Sequence, residues 1–135
     1  MKLTPAAEQP TQKGAPDSFT GVVWQQPIAI GETTEPTHVA RVTFEPVARM
    51  AWHHHPHGQI LIATAGVGRF QVEGGPLLAL HPGDSATVAP GETYWHGAAP
   101  DQLFVHLSMQ AADANGEQAT WLHPVSDEDY VRDPA

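Results

Sequence analysis

Apolar residues fall along this chain in short bursts of roughly four to eight positions, the length of a strand, and proline or glycine closes most of them. Val39 to Phe44 partly alternates and stops at Glu45-Pro46, because proline cannot donate to a sheet ladder. Met50 to His55 reads as extended and ends at Pro56, which biases His55 away from helical angles. Gln59 to Thr64 is apolar and β-branched, and Gly66 with Gly68 marks a turn. Arg69 to Glu73 is broken by Gly74-Gly75-Pro76, and Leu77 to Leu80 runs into the turn His81-Pro82-Gly83-Asp84. Ser85 to Val88, Thr93 to His96 and Leu103 to Gln110 complete the series, with Thr20 to Trp24 ahead of it. One short helical turn is predicted near the end, where Ser126 can cap Asp127, Glu128 and Asp129. Many short strands at fairly even spacing predict an antiparallel sandwich or barrel.

Residues 1–17 hold hardly any large apolar side chain and read as a loose arm or lightly held edge segment, leaving 18–135 as one domain. A length of 135 residues accommodates one core and not two. The formal net charge of −9, with six Lys and Arg together, sets the surface against phosphate backbones and anionic membranes. The expected partner is therefore a small molecule. No cysteine is present, so thiol catalysis is excluded and any metal must sit on nitrogen and oxygen donors. The first residues lack the pattern of an export signal, which makes a cytoplasmic location the expectation.

Candidate chemistry concentrates in the histidines. There are nine, four of them within His53-His54-His55-Pro56-His57. Residues two apart on a strand face one side, so His53 and His55 point together and His54 points opposite. Gln59, after the Pro56–Gly58 turn, can return its side chain to the same space. Two imidazoles and an amide oxygen suit a divalent transition metal, with Mn or Fe foremost and Ni or Zn as alternatives. His54 and His57 read as surface or supporting residues.

These residues also carry a resemblance. The first cupin motif places glycine, His-x-His, glutamate and glycine at fixed intervals, and here that frame holds Val47, His53, His55, Gln59 and Gly66. The second motif lands on Gly83, Ala89, Gly91, Tyr94 and Ala98. From about Lys13 to Tyr130 the chain resembles the bacterial cupin-type hydroxynitrile lyases, through segments such as Phe19-Thr20-Gly21, Ala51-Trp52-His53, Gly58-Gln59 and Trp95-His96-Gly97. The resemblance implies an all-β cupin jelly-roll barrel of two antiparallel sheets, a homo-oligomer (dimer or tetramer), and one metal ion inside the open end. It also implies a ligand set of His53, His55, Gln59 and a third histidine, where this chain has Tyr94.

Three arrangements are open at Tyr94. The phenol ligates the metal, His96 on the same strand face replaces it, or the site is weakened and Tyr94 hydrogen-bonds inside the pocket. His96, His106 and Gln110 are candidate catalytic side chains; His106 and Gln110 are an even number of residues apart and can share the barrel interior. Val42, Phe44, Met50 and Leu61 are candidate cavity walls, and Trp24, Trp52, Trp95 and Trp121 are assigned to packing. The leading expectation is a metal-dependent lyase that cleaves or forms cyanohydrins. The rivals are an Fe-dependent dioxygenase and a non-catalytic binding module.

Overall fold

A computed structural model describes residues 1–31, 36–112 and 118–135. The described residues form two antiparallel sheets facing one another. The first holds six strands in the order β1 (Gln12–Lys13), β3 (Val23–Ala29), β4 (Thr37–Phe44), β12 (Phe104–Ala111), β7 (Gln59–Gly66) and β10 (Ser85–Val88). The second runs β13 (Thr120–Trp121), β6 (His53–His54), β11 (Tyr94–Ala98), β5 (Arg49–Met50) and β2 (Phe19–Thr20). In that sheet β8 (Gly68–Val72) also pairs with β11, and β9 (Leu78–Leu80) pairs with β8. A 3-10 turn at Ala6–Glu8 and a one-turn helix α1 (Asp127–Tyr130) complete the elements. Ser126 caps α1 through its hydroxyl, which accepts from the Asp129 amide at 3.1 Å, as the sequence predicts. Among the described residues no helix is long and apolar enough to cross a membrane.

Alternation decides what lies between the sheets. Val42 and Phe44 of β4, Leu61 and Ala63 of β7 and Phe104 of β12 are buried there with Phe70, Leu80 and Tyr94 from the opposite sheet. The outer face of the second sheet has its own small core, in which Trp95 and Leu77 are covered by Val125 and Tyr130 from the C-terminal segment, with Trp52 packed alongside. Arg49 and Arg69 lie against the Tyr130 ring, and the Tyr130 hydroxyl donates to the Ala98 carbonyl at 2.7 Å. Trp52 and Trp95 are therefore packing residues, on the face away from His53.

Two local features differ from the sequence reading. Met50 to His55 is not one strand: Arg49 pairs with Gly97 and His53 with Tyr94, so four steps on one side span three on β11. The extra residue at Ala51–Trp52 is a bulge, and it turns both Met50 and His53 inward although they are an odd number of residues apart. Gly66 to Gly68 is a corner where the chain leaves one sheet and enters the other, not a hairpin. Gly66 has φ +72°, and a Cβ there would lie 1.7 Å from the Leu103 carbonyl oxygen, so only glycine fits. Within residues 1–17, Gln12–Lys13 pairs with Gln25 and Trp24 of β3 as a two-residue edge strand.

Val47, at the first glycine position of the cupin motif, is the only non-glycine with positive φ (67°) among the described residues, and it is half exposed. A β-branched residue is strained there. Val47→Gly is expected to stabilise the protein by about 1 kcal/mol, the relief of left-handed strain less the extra entropy of an unfolded glycine. A thermal midpoint raised by roughly 3–5 °C checks this; an unchanged or lower midpoint refutes it.

Candidate functional site

The bulge and the Pro56–Gly58 turn bring His53, His55 and Gln59 to one end of the barrel. Gly58 supplies the turn with φ +76°, and its amide donates to the His55 carbonyl at 3.3 Å. Each histidine is held by a backbone carbonyl. The His53 Nδ1–H donates to the Ala51 carbonyl at 2.8 Å, and the His55 Nδ1–H donates to the Gln118 carbonyl. A carbonyl can only accept, so both rings carry their proton on Nδ1 and leave Nε2 as a bare lone pair. Both Nε2 atoms are buried and, among the described residues, have no hydrogen-bond partner.

Tyr94 lies opposite His53 across the sheet, with ring centres 4.4 Å apart, and its hydroxyl donates to the Oε1 of Gln59. The His53 and His55 ring centres are 5.0 Å apart, and His55 and Tyr94 are 5.9 Å apart. Gln59 is oriented from its other end, because its Nε2 donates to Ser108 Oγ at 2.8 Å and to Gln110 Oε1 at 2.6 Å. Gln110 in turn donates to the Gln118 side chain at 3.0 Å. Among the described residues no three of His, Cys, Asp or Glu come together as a metal-holding group. The set assembled here is two imidazole nitrogens, one amide oxygen and one phenol oxygen. Two buried, partnerless Nε2 atoms with fixed tautomers, beside two oxygen donors, fit a transition-metal cation.

His96 is not part of that set. It lies on the same face of β11 as Tyr94, but its Nε2 meets the Nε2 of His106 at 3.1 Å. Phe44 closes the space behind this pair, edge-on to His96 and stacked on His106. Burial disfavours charge on all four imidazoles. It lowers His53 to about 3 and His106 to about 4, against smaller opposing effects from the Ala51 and Leu107 backbone. His55 is lowered, and His96 lies well below its ordinary value, in both cases through burial first and neighbouring histidines as a lesser cause. Burial likewise holds the Tyr94 phenol well above its ordinary value. The rings are neutral at physiological pH, the form that binds a cation or accepts a proton.

A chamber of about 320 Å³ opens onto these groups, lined by His55, Gln59, His106 and Gln110 with Val42 and Met50 as apolar walls. Phe44 and Leu61, expected as walls, are not among its lining residues and fill the core instead. Trp121, which the sequence reading assigns to packing, lines the chamber and lies 4.7 Å from the His53 ring. Trp24 is more than a third exposed, with its indole N–H on Glu45. His54 is half-buried on β6 opposite Thr120, and His57 is exposed. Sequence reasoning missed Ser108, Gln25 and Gln118. Ser108 had a signal, since it alternates with His106 and Gln110; Gln118 had none.

The buried histidines make the metal-free fold acid-sensitive. Their folded pKa values lie below the unfolded value of about 6.5, so the unfolded chain binds more protons as pH falls. Stability is complete above about 6.5 and is lost from there down through about 4 for His106 and about 3 for His53. Each group contributes a slope of up to about 1.4 kcal/mol per pH unit. Thermal unfolding from pH 7 to 4.5 checks this: the midpoint falls steadily in the parent and less steeply in His106→Asn, whereas equal slopes count against it.

Comparison with known proteins agrees with this architecture. Residues 40–107 match the cupin domain family. The chain is 45% identical to an (R)-mandelonitrile lyase of Granulicella tundricola over 134 residues, covering 98% of this chain and 100% of that protein. It superposes on a cupin-like protein of Thermotoga maritima with a TM-score of 0.81 and 43% identity, covering 87% of this chain and 89% of the other. A cupin-2 domain of Rhodospirillum rubrum shares the fold at a TM-score of 0.72 and 16% identity, covering 96% and 82% of the two chains. Cupins commonly hold a metal ion in the barrel. With two facing antiparallel sheets, an inward histidine pair and a full-length relative at this identity, the chain belongs to the cupin family.

Proposed function

We propose that this cupin is a metal-dependent lyase of the hydroxynitrile type, cleaving a cyanohydrin to an aldehyde and hydrogen cyanide and catalysing the reverse addition. The observation that carries the reading is the pair of bare Nε2 atoms on His53 and His55, set beside the oxygens of Gln59 and Tyr94, with His55 and Gln59 on the wall of the chamber. The 45% identity to an (R)-mandelonitrile lyase supports the reaction class. His53, His55 and Gln59 would hold the metal, with Tyr94 as its second oxygen donor. A bound cation there supplies Lewis-acid polarisation of a substrate oxygen.

The protein's own groups supply the rest. His106, neutral and on the chamber wall, takes the cyanohydrin hydroxyl proton. As the oxygen becomes a carbonyl, the C–CN bond breaks with its electron pair on cyanide. The proton then returns from His106 to cyanide, giving HCN and aldehyde in balance. His96, 3.1 Å away, shares the proton through the Nε2–Nε2 contact. Val42 and Met50 hold the organic group and exclude water. Gln110 acts as a positioning residue, because its amide already holds Gln59 and Gln118.

A second reading has one observation in its favour. The Tyr94 hydroxyl donates to Gln59 Oε1, so two of the four donors satisfy each other, as a metal-poor binding module would arrange them.

Elemental mass spectrometry of untagged protein decides between them. About one transition-metal ion per chain is expected, with Tyr94→Phe weakening retention on the order of tenfold and Tyr94→His preserving it. A parent free of metal beside a filled Tyr94→His variant selects the binding module. The activity test is benzaldehyde release from mandelonitrile. His106→Ala is expected to lower kcat/KM by about 100-fold or more with metal content unchanged. A metal-loaded parent that releases no benzaldehyde sinks the lyase reading.

A further inference from the structure

The inner face of the six-stranded sheet extends past the chamber to the rim, and its register lays out a path. Gln12 lies opposite Gln25, Gln25 opposite Val42, and Val42 opposite His106. Directly opposite residues of an antiparallel ladder project to one face, so this row joins an exposed edge glutamine to a buried imidazole. Nearer the rim, His38 lies opposite Gln110. These strands enclose a second recess of about 270 Å³, with Gln12, Gln25, Pro27, Ile30 and His38 on its walls. Recess and chamber share Gln25, Ala40, Ser108, Gln110 and Gln118, which makes them two ends of one cleft. The chamber alone lies at the lower end of the roughly 300–1,000 Å³ typical of small-molecule sites, and the recess nearly doubles it.

Each end carries its own polar groups. Val42 and Met50 form the apolar part of the chamber wall beside His55, Gln59 and His106, and Gln12, Gln25 and His38 supply the recess with hydrogen-bonding groups of its own. Among the described residues the half-buried side chains of Gln25 and His38 have no hydrogen-bond partner, while the amides of Gln59 and Gln110 are engaged with each other. Partly exposed to the recess, these donors and acceptors are available to a ligand. Among the described residues the recess lining contains no Lys, Arg, Asp or Glu, so the contacts it offers are hydrogen bonds from neutral side chains.

We infer that the recess is a second ligand subsite, and that the natural substrate is an elongated neutral molecule. Its compact head occupies the chamber against Val42 and Met50, and its tail presents hydroxyl or amide groups to Gln12, Gln25 and His38. The identity of the head as a cyanohydrin or its aldehyde rests on the lyase reading; the tail subsite rests on the cleft.

Isothermal titration with three aldehydes tests this: benzaldehyde, its para-propoxy derivative and its para-(dihydroxypropoxy) derivative. The dihydroxy compound is expected to bind about tenfold tighter than the other two, the effect of two modest hydrogen bonds. The double variant Gln12→Ala/His38→Ala, which touches only the recess, is expected to erase that difference and leave benzaldehyde affinity within about twofold. Three equal affinities overturn the inference. So does a propoxy compound that matches the dihydroxy one, or a double variant that weakens all three alike. A protein that distinguishes the tails yet cleaves no cyanohydrin keeps the subsite and loses the lyase reading; the opposite result does the reverse.

Discussion

Polar side chains that point into a small barrel must find partners inside it, and most of this structure follows from that constraint. His53, His55, Gln59, His96, His106 and Ser108 are all buried on inward positions, among apolar residues. An unpaired buried polar group costs about 1–3 kcal/mol, so a chain that carries six of them must engage them or use them. It does both. Gln59, Ser108, Gln110 and Gln118 form one hydrogen-bonded series, and His96 pairs with His106. Among the described residues the buried side-chain atoms left unengaged are the Nε2 of His53 and His55, the Nδ1 of His96 and His106, and the Nε of Arg49 and Arg69. The His53 and His55 atoms stand apart because they lie beside the oxygens of Gln59 and Tyr94, where a cation can meet all four.

The same constraint ties distant parts of the chain to the site. The Gln118 carbonyl fixes the His55 tautomer across 63 residues of sequence, and Trp121 packs its ring against His53. Residues 118–121 therefore work as a wall and as an orienting support at once. On the far side of the second sheet, the C-terminal segment covers Trp95 with Val125 and Tyr130, which backs the strand that carries Tyr94 and His96. Loosening that cover would move the histidines without touching them.

Tyr94 shows how one substitution re-uses a motif frame. The strand places residue 94 opposite His53 whatever its side chain. A phenol there reaches Gln59 and is kept neutral by burial, while a histidine would meet the same space with a nitrogen. The position is set by the sheet, and the chemistry is set by the residue.

Much of this was legible in the sequence. Short apolar runs between prolines and glycines determined the strands, the Ser126 cap determined α1, and the two-residue period determined that His53 and His55 face together. Periodicity also aligned His106 with Gln110. Tertiary structure decided the rest. The bulge at Ala51–Trp52 arises from pairing with β11, so no local pattern announces that Met50 and His53 share a face. The Tyr94–Gln59 contact spans 35 residues and the Gln59–Ser108 contact 49, and which partner meets which depends on strand register across the barrel. Trp121 reads as packing in sequence and lines the chamber only because β13 docks beside β6. Local preference fixes which way a side chain can point along its own strand; the closed sheet fixes what it finds there.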